Sequence, residues 1–375
     1  MIVRPKPAAY VDMLNFYQKY FLPGFVFQSI VIGGGYGTGR ELVEFFLNEG
    51  PAGGYLGMLV ATVVWGVILA LGFELARLGK HYDYRTYLNA LLGRGWMAFE
   101  VLYVLSVILT AAVVGSASGE LLNVTIGWPR IAGTLILIGL VALFTFFGSN
   151  LIEKFFSVWS LGLYIVYFIV IVLVLRESGD VIADNMTVWK EGSGWLLGGL
   201  KYGAYNLAAL PAMLFALRHL EHRREAFGAG MLAGVIAMFP GVLIYTAMLA
   251  SYPAITEEAI PANSILTGVG MPWFQTLFQI VLFGTFIETG TGMIHGFNER
   301  IAAVMKEHNR TMSRWQRLSV AAAFLVVAIW LADRFGLIKL ISDGYGLITY
   351  GYWALFLLPI LVVGTRRIFT ARGPQ

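Results

Sequence analysis

Cysteine is absent from the 375 residues, which excludes disulfides and thiol chemistry. Charge is scarce. Asp, Glu, Lys and Arg make up 13% of the chain, about half the share of an average soluble domain. No linker-like or low-complexity stretch sets off a soluble domain, and residues 1–20 lack the apolar core and cleavage site of a signal peptide. Nucleotide and hydrolase motifs are missing as well. The glycines at 33–39 show neither the GxGxxG spacing nor a Gly-Lys-Ser/Thr ending. His219, Glu221 and His222 lack the HExxH spacing, and no serine nucleophile elbow is present.

What remains is apolar. Hydrophobic residues reach 58%, and mean hydropathy is +0.73. Ten apolar segments stand out, at about 22–48, 52–77, 96–122, 128–148, 151–176, 195–217, 227–251, 273–299, 316–334 and 340–365. A helix rises ~1.5 Å per residue, so runs near twenty residues cross the hydrocarbon. The expectation is an all-α polytopic membrane protein, one transmembrane domain over 1–375. The net charge of +4 fits basic cytoplasmic loops and predicts no nucleic acid partner. With the N-terminus inside, the ten segments put 19 Lys and Arg inside and 5 outside, leaving Arg40 and Lys201 in the membrane. That bias predicts a multi-pass protein of the plasma (inner) membrane with both termini cytoplasmic.

Two segments contain helix breakers. In the first, Gly33, Gly34, Gly35, Tyr36, Gly37, Thr38 and Gly39 put five glycines into seven residues. Each costs about 1 kcal/mol relative to alanine in a helix. Lipid offers no hydrogen bonds to freed backbone, so such a break belongs beside a cavity or inside protein. In the sixth, the breaker region runs from Tyr202 through Tyr205 and Asn206 to Pro211. Both breaks fall near the midplane, five helices apart. Five is odd, so a five-helix unit used twice is inverted in the membrane, here as 22–176 and 195–365.

The layout resembles the five-plus-five inverted repeat of the amino acid–polyamine–organocation superfamily, the LeuT-type fold, with helices 1 and 6 interrupted at the midplane. More narrowly, residues 32–41 resemble the GAGFASG(Q/R)E signature of the YkvI-type membrane proteins, departing from it at Gly34, Tyr36 and Thr38. Tyr202, Tyr205 and Asn206 match a Tyr-x-x-Tyr-Asn pattern of the same family. The resemblance implies an amino-acid-permease-like carrier.

Residue types suggest the chemistry. Past the first break, free N–H groups and a partial positive charge face the cavity. Arg40 sits in that turn, which suits a substrate carboxylate. Carbonyls freed on segment 6 suit an ammonium group. Together they predict a small zwitterionic or amino-acid-like substrate, with Tyr36, Tyr202 and Tyr205 packed on it. Segment 8 carries Thr285, Glu288, Thr289, Gly292, His295 and Asn298 at helical spacing. Glu288 lies near mid-bilayer, where a carboxylate is costly and points to function. The resemblance implies a sodium site between this helix and the first break, with Thr285 and Thr289 as oxygen ligands. Glu288 is the alternative, as a proton carrier, and Glu41 is a further candidate or a helix cap. Na+ and H+ both stand as coupling ions, and no cofactor is expected. Lys154 on segment 5 reads as a residue reaching for lipid phosphate. The competing readings are a passive channel, a non-transporting sensor, and an intramembrane enzyme using Glu288 and His295.

Overall fold

The structure, a computed structural model, describes residues 13–370 except 148, 191, 193, 268 and 269. The side chains of 149–158, 160, 161, 267 and 303 also fall outside the description, Lys154 among them. Among the described residues the regular structure is helical throughout. The chain winds as α1 (Leu22–Val31), α2 (Gly34–Gly37), α3 (Arg40–Phe45), α4 (Pro51–Gly79), α5 (Tyr84–Leu92), α6 (Trp96–Ile126), α7 (Arg130–Phe147) and α8 (Ser149–Met186). It continues as α9 (Gly194–Asn206), α10 (Leu210–Met213), α11 (Arg223–Met248), α12 (Pro261–Thr267), α13 (Pro272–Glu307), α14 (Arg314–Lys339), α15 (Gly346–Tyr352) and α16 (Thr365–Thr370).

Each predicted apolar segment lies on helical backbone. Among the described residues six helical runs are long and apolar enough to cross a membrane, and the last, Arg314–Thr370, covers two predicted segments. Gly336 divides that run, turning the chain at φ 70°. Ser178, at φ −127° and ψ 22°, likewise marks the end of the fifth segment inside α8. Large apolar side chains such as Val101, Leu105, Phe168, Val326, Trp330 and Val362 point outward. Exposed rows of this kind suit lipid rather than water. The charged stretch at 80–95 hides a helix that the hydropathy pattern missed. Asp83 caps α5 by accepting from the Thr86 N–H at 2.9 Å.

The interior is built by close helix contacts. α4 packs along α11 and α9, α11 also packs on α1, and α6 packs on α13 and α14. Small residues set the α4–α11 distance. A Cβ on Gly230 would overlap the Ala70 backbone, and one on Gly234 would sit 2.8 Å from both the Gly66 nitrogen and the Thr62 carbonyl oxygen. Between lipid-embedded helices, van der Waals contact of this kind replaces the hydrophobic effect as the source of association.

Gly230→Ala should therefore force α4 and α11 apart and destabilise the fold by about 1–3 kcal/mol. Thermal unfolding of the purified protein in detergent reads this directly. A melting temperature equal to wild type would contradict the close crossing.

Candidate functional site

The first break has two hinges rather than one unwound stretch. α1 ends where Ile32 turns to ψ 80° and Gly33 is extended. One helical turn, α2, follows, and then Gly39 takes the left-handed conformation at φ 77° before α3 begins. Glycine alone adopts that conformation without a side-chain penalty. On the α3 side the freed carbonyls are met. The Tyr167 hydroxyl donates to the Gly37 carbonyl at 2.9 Å, and the Ala262 N–H donates to the Thr38 carbonyl at 2.9 Å. The Thr38 hydroxyl donates to the Gly35 carbonyl at 2.7 Å. On the α1 side, no hydrogen bond from the described residues reaches the carbonyls of Ser29, Ile30 or Ile32.

The second break is milder than the breaker pattern suggests. α9 tightens into a 3-10 turn over Leu207–Ala209 and resumes as α10. Pro211 has no N–H for the Leu207 carbonyl, and the Leu210 N–H takes it instead. Trp65 Nε1 donates to the Gly203 carbonyl at 2.9 Å, and Asn206 Nδ2 donates to the Tyr202 carbonyl at 3.1 Å. The carbonyls of Tyr202, Gly203 and Leu207 are thus engaged within the protein.

Between the two breaks lies a cavity of about 360 Å³. Gly33, Gly34, Gly35, Glu41, Tyr205, Asn206, Glu288 and Thr289 line it as the sequence suggested. Both ends are defined by aromatic side chains. At one end the Tyr205 hydroxyl donates to Glu41, and the Tyr205 ring stacks on Tyr345 with centroids 4.9 Å apart. From there the lining runs past Glu288 and Thr289 to Gly296, Ala212 and Tyr103, on the side of the molecule where α1 begins. There the Arg300 guanidinium lies over the Tyr103 ring at 3.8 Å and the Tyr84 ring at 3.6 Å.

The other expected residues are elsewhere. Arg40 is 4% exposed, and its guanidinium donates to the carbonyls of Thr256 (2.7 Å) and Glu258 (3.0 Å) and pairs with Glu44 at 3.3 Å. It anchors the loop over α3 rather than a ligand. Tyr36 is buried against Gly241 of α11. Tyr202 packs among Phe45, Phe46 and Trp65. Gly37 lies beside Leu282 and the Tyr167 hydroxyl, and Gly39 beside α12. Thr38 is used for the turn. Thr285 is 2% exposed, faces Gly37 and donates its hydroxyl to the Val281 carbonyl at 3.0 Å. The ammonium of Lys201 sits 5.7 Å over the Tyr350 ring. His295 lies 3.9 Å from Glu299 and does not line the cavity.

The lining residues that the sequence reading missed include Tyr103, Ser106 and Thr110 on α6, and Tyr345 and Tyr352 beside and on α15. Ser106 and Tyr352 join hydroxyl to hydroxyl at 2.7 Å. On α6 the three are spaced three and four apart, a pattern that marks a shared helix face but not what that face meets. Thr289 meets the break closely. Its methyl would lie 3.3 Å, and its hydroxyl oxygen 3.6 Å, from a Cβ on Gly33. Among the described lining residues there are two carboxylates, Glu41 and Glu288, and no Lys, Arg or His.

No family model matches the chain. Among solved structures it is similar to MhsT in complex with L-phenylalanine, with a TM-score of 0.63, 14% identity, and coverage of 93% of this chain and 96% of that one. It is also similar to a manganese transporter of Eremococcus coleocola (TM-score 0.51, 15% identity, 100% and 92% covered) and to a Na+-coupled sialic acid symporter (TM-score 0.50, 14% identity, 93% and 87% covered). The architecture is therefore the LeuT-type fold, shared with a manganese transporter and a Na+-coupled sialic acid symporter. In sequence the chain is homologous to the membrane protein YkvI of Bacillus subtilis (strain 168), 26% identical over 358 residues, covering 90% of this chain and 94% of that protein.

Tyr205→Phe keeps the stacked ring and removes the donor to Glu41. A hydrogen bond to a charged group is worth about 1.5–3 kcal/mol, so the variant should melt measurably lower. Thermal unfolding indistinguishable from wild type would remove this bond from the closure of the cavity.

Proposed function

We propose that the protein is a secondary active transporter that moves a small, amino-acid-sized solute bearing an ammonium group by alternating access, coupled to Na+ or H+. The observation that carries this reading is the shape of the cavity. It sits between the two interrupted helices, is capped at one end by Glu41, Tyr205 and Tyr345, and extends toward the other. A solute held there meets one side of the membrane at a time. With the N-terminus cytoplasmic, as the Lys and Arg bias has it, the capped end is external. The inverted repeat, 22–176 and 195–365, is supported by how the helices pair. α1 packs on α11, and its counterpart α9 packs on α4.

For sodium, the candidate ligands are the Thr289 hydroxyl oxygen and the unmet carbonyls of Ile30 and Ile32. The Thr289 hydroxyl proton goes to the Thr285 carbonyl at 2.9 Å, which leaves its oxygen lone pairs toward the cavity. Hard oxygens suit an alkali cation. Thr285 drops out as a direct ligand because it lies outside the cavity. For a proton, Glu288 is the candidate carrier, half-buried on the same wall.

Solid-supported-membrane recordings on proteoliposomes test the reading with amino acids and amines under Na+ and H+ gradients. A solute-evoked, ion-dependent current is the expected result. A steady ion current without solute would make the protein a channel, and solute binding without flux would make it a sensor. Thr289→Ala should raise the Na+ concentration needed about tenfold, equivalent to about 1.4 kcal/mol. If H+ is the ion, that change has no such effect, and Glu288→Gln flattens the pH dependence instead.

Orientation has its own check. The absence of cysteine allows single-cysteine labelling without background. Cysteine at Lys190 should react with an impermeant maleimide on intact cells, and cysteine at Arg310 only after lysis. The reverse pattern would invert the topology.

A further inference from the structure

The carrier reading leaves open what the cavity recognises in its solute. We infer that it selects a small organic amine without a carboxylate, an alkyl- or arylalkylamine, rather than an amino acid. This rests on the transport reading of the same cavity and narrows its substrate.

Arg40 is the cation nearest the first break in sequence, yet two loop carbonyls and Glu44 hold its guanidinium outside the cavity lining. No other Lys, Arg or His lines the cavity among the described residues. The remaining attraction for a ligand carboxylate would be the backbone N–H groups at the start of α2. That turn already has a carboxylate beside it. The Glu41 carboxylate lies against Gly35, so close that a Cβ there would overlap it. A second carboxylate would have to approach the first with no cationic side chain of the described lining between them.

Glu41 in turn has no cationic partner among the described residues. It is 4% exposed and makes no ion pair among the described residues, and its hydrogen bond is to the Tyr205 hydroxyl. A buried carboxylate held by one neutral donor is costly, and an incoming ammonium group relieves that cost by pairing with it. The walls beside it suit the rest of an amine. Tyr205 and Tyr345 present ring surfaces that favour a cation over an anion. Ile32, Met293 and Ile348 accommodate an apolar body. The ligand chemistry is therefore a positive end at Glu41 and an apolar remainder toward Tyr103.

Matched pairs test this on the full-length protein. Phenethylamine is compared with L-phenylalanine, and 1,5-diaminopentane with L-lysine, each by current, by counterflow of the radiolabelled compound in proteoliposomes, and by ligand-induced thermal stabilisation in detergent. The amine of at least one pair should bind and move at concentrations about tenfold or more below its amino acid. Glu41→Gln should remove that preference. Equal or better response to the amino acids would overturn the inference and leave the carrier reading intact. Absence of binding and flux for all four compounds would overturn both. An amine response that survives in Glu41→Gln would show that Glu41 is not the recognition group. Should that variant fail to fold, the wild-type amine-to-acid comparison decides by itself.

Discussion

Inside a bilayer, a backbone group without a partner has no water to turn to. Most of what distinguishes this protein follows from how that demand is met around Gly33. A helix stopped at the midplane releases carbonyls on one side and N–H groups on the other. On the α3 side, Tyr167 and Ala262 reach in to take the carbonyls of Gly37 and Thr38. On the α1 side nothing described reaches the carbonyls of Ser29, Ile30 and Ile32, and all three residues line the cavity. The asymmetry is chemical information: one half of the break is stitched into the scaffold, and the other turns its carbonyls to the cavity.

Charge follows the same division. Arg40 and Glu41 are neighbours in the chain and part company in space. A helix turns about 100° per residue, so adjacent side chains leave in different directions. Arg40 leaves toward the 254–258 loop, where two backbone carbonyls and Glu44 hold its guanidinium. Glu41 turns back onto Gly35 and Tyr205. The cavity receives the negative partner alone.

The fold was readable because hydropathy runs of membrane length leave few alternatives, and because five glycines in seven residues contradict a continuous helix. The wall formed by Gly33, Glu41, Tyr205, Glu288 and Thr289 was readable too, since polar groups near the midplane are conspicuous. Two things were not. Arg40 carries a long side chain whose end point depends on carbonyls more than two hundred residues away, which no local pattern encodes. Tyr103, Ser106, Tyr345 and Tyr352 look like ordinary residues of apolar helices until packing shows which face meets the cavity. The second interruption is shorter than the first, because Pro211 removes only one N–H and a 3-10 turn absorbs the loss.

The hydrogen bond from Ala262 to the Thr38 carbonyl joins a surface-facing segment to the heart of the protein. Arg40 adds a second tie between the same loop region and the same helix. α3 and the 254–262 stretch are thereby tied at two points. A fluorophore or antibody fragment placed on that loop would report on the helix that carries Glu41 without touching the cavity.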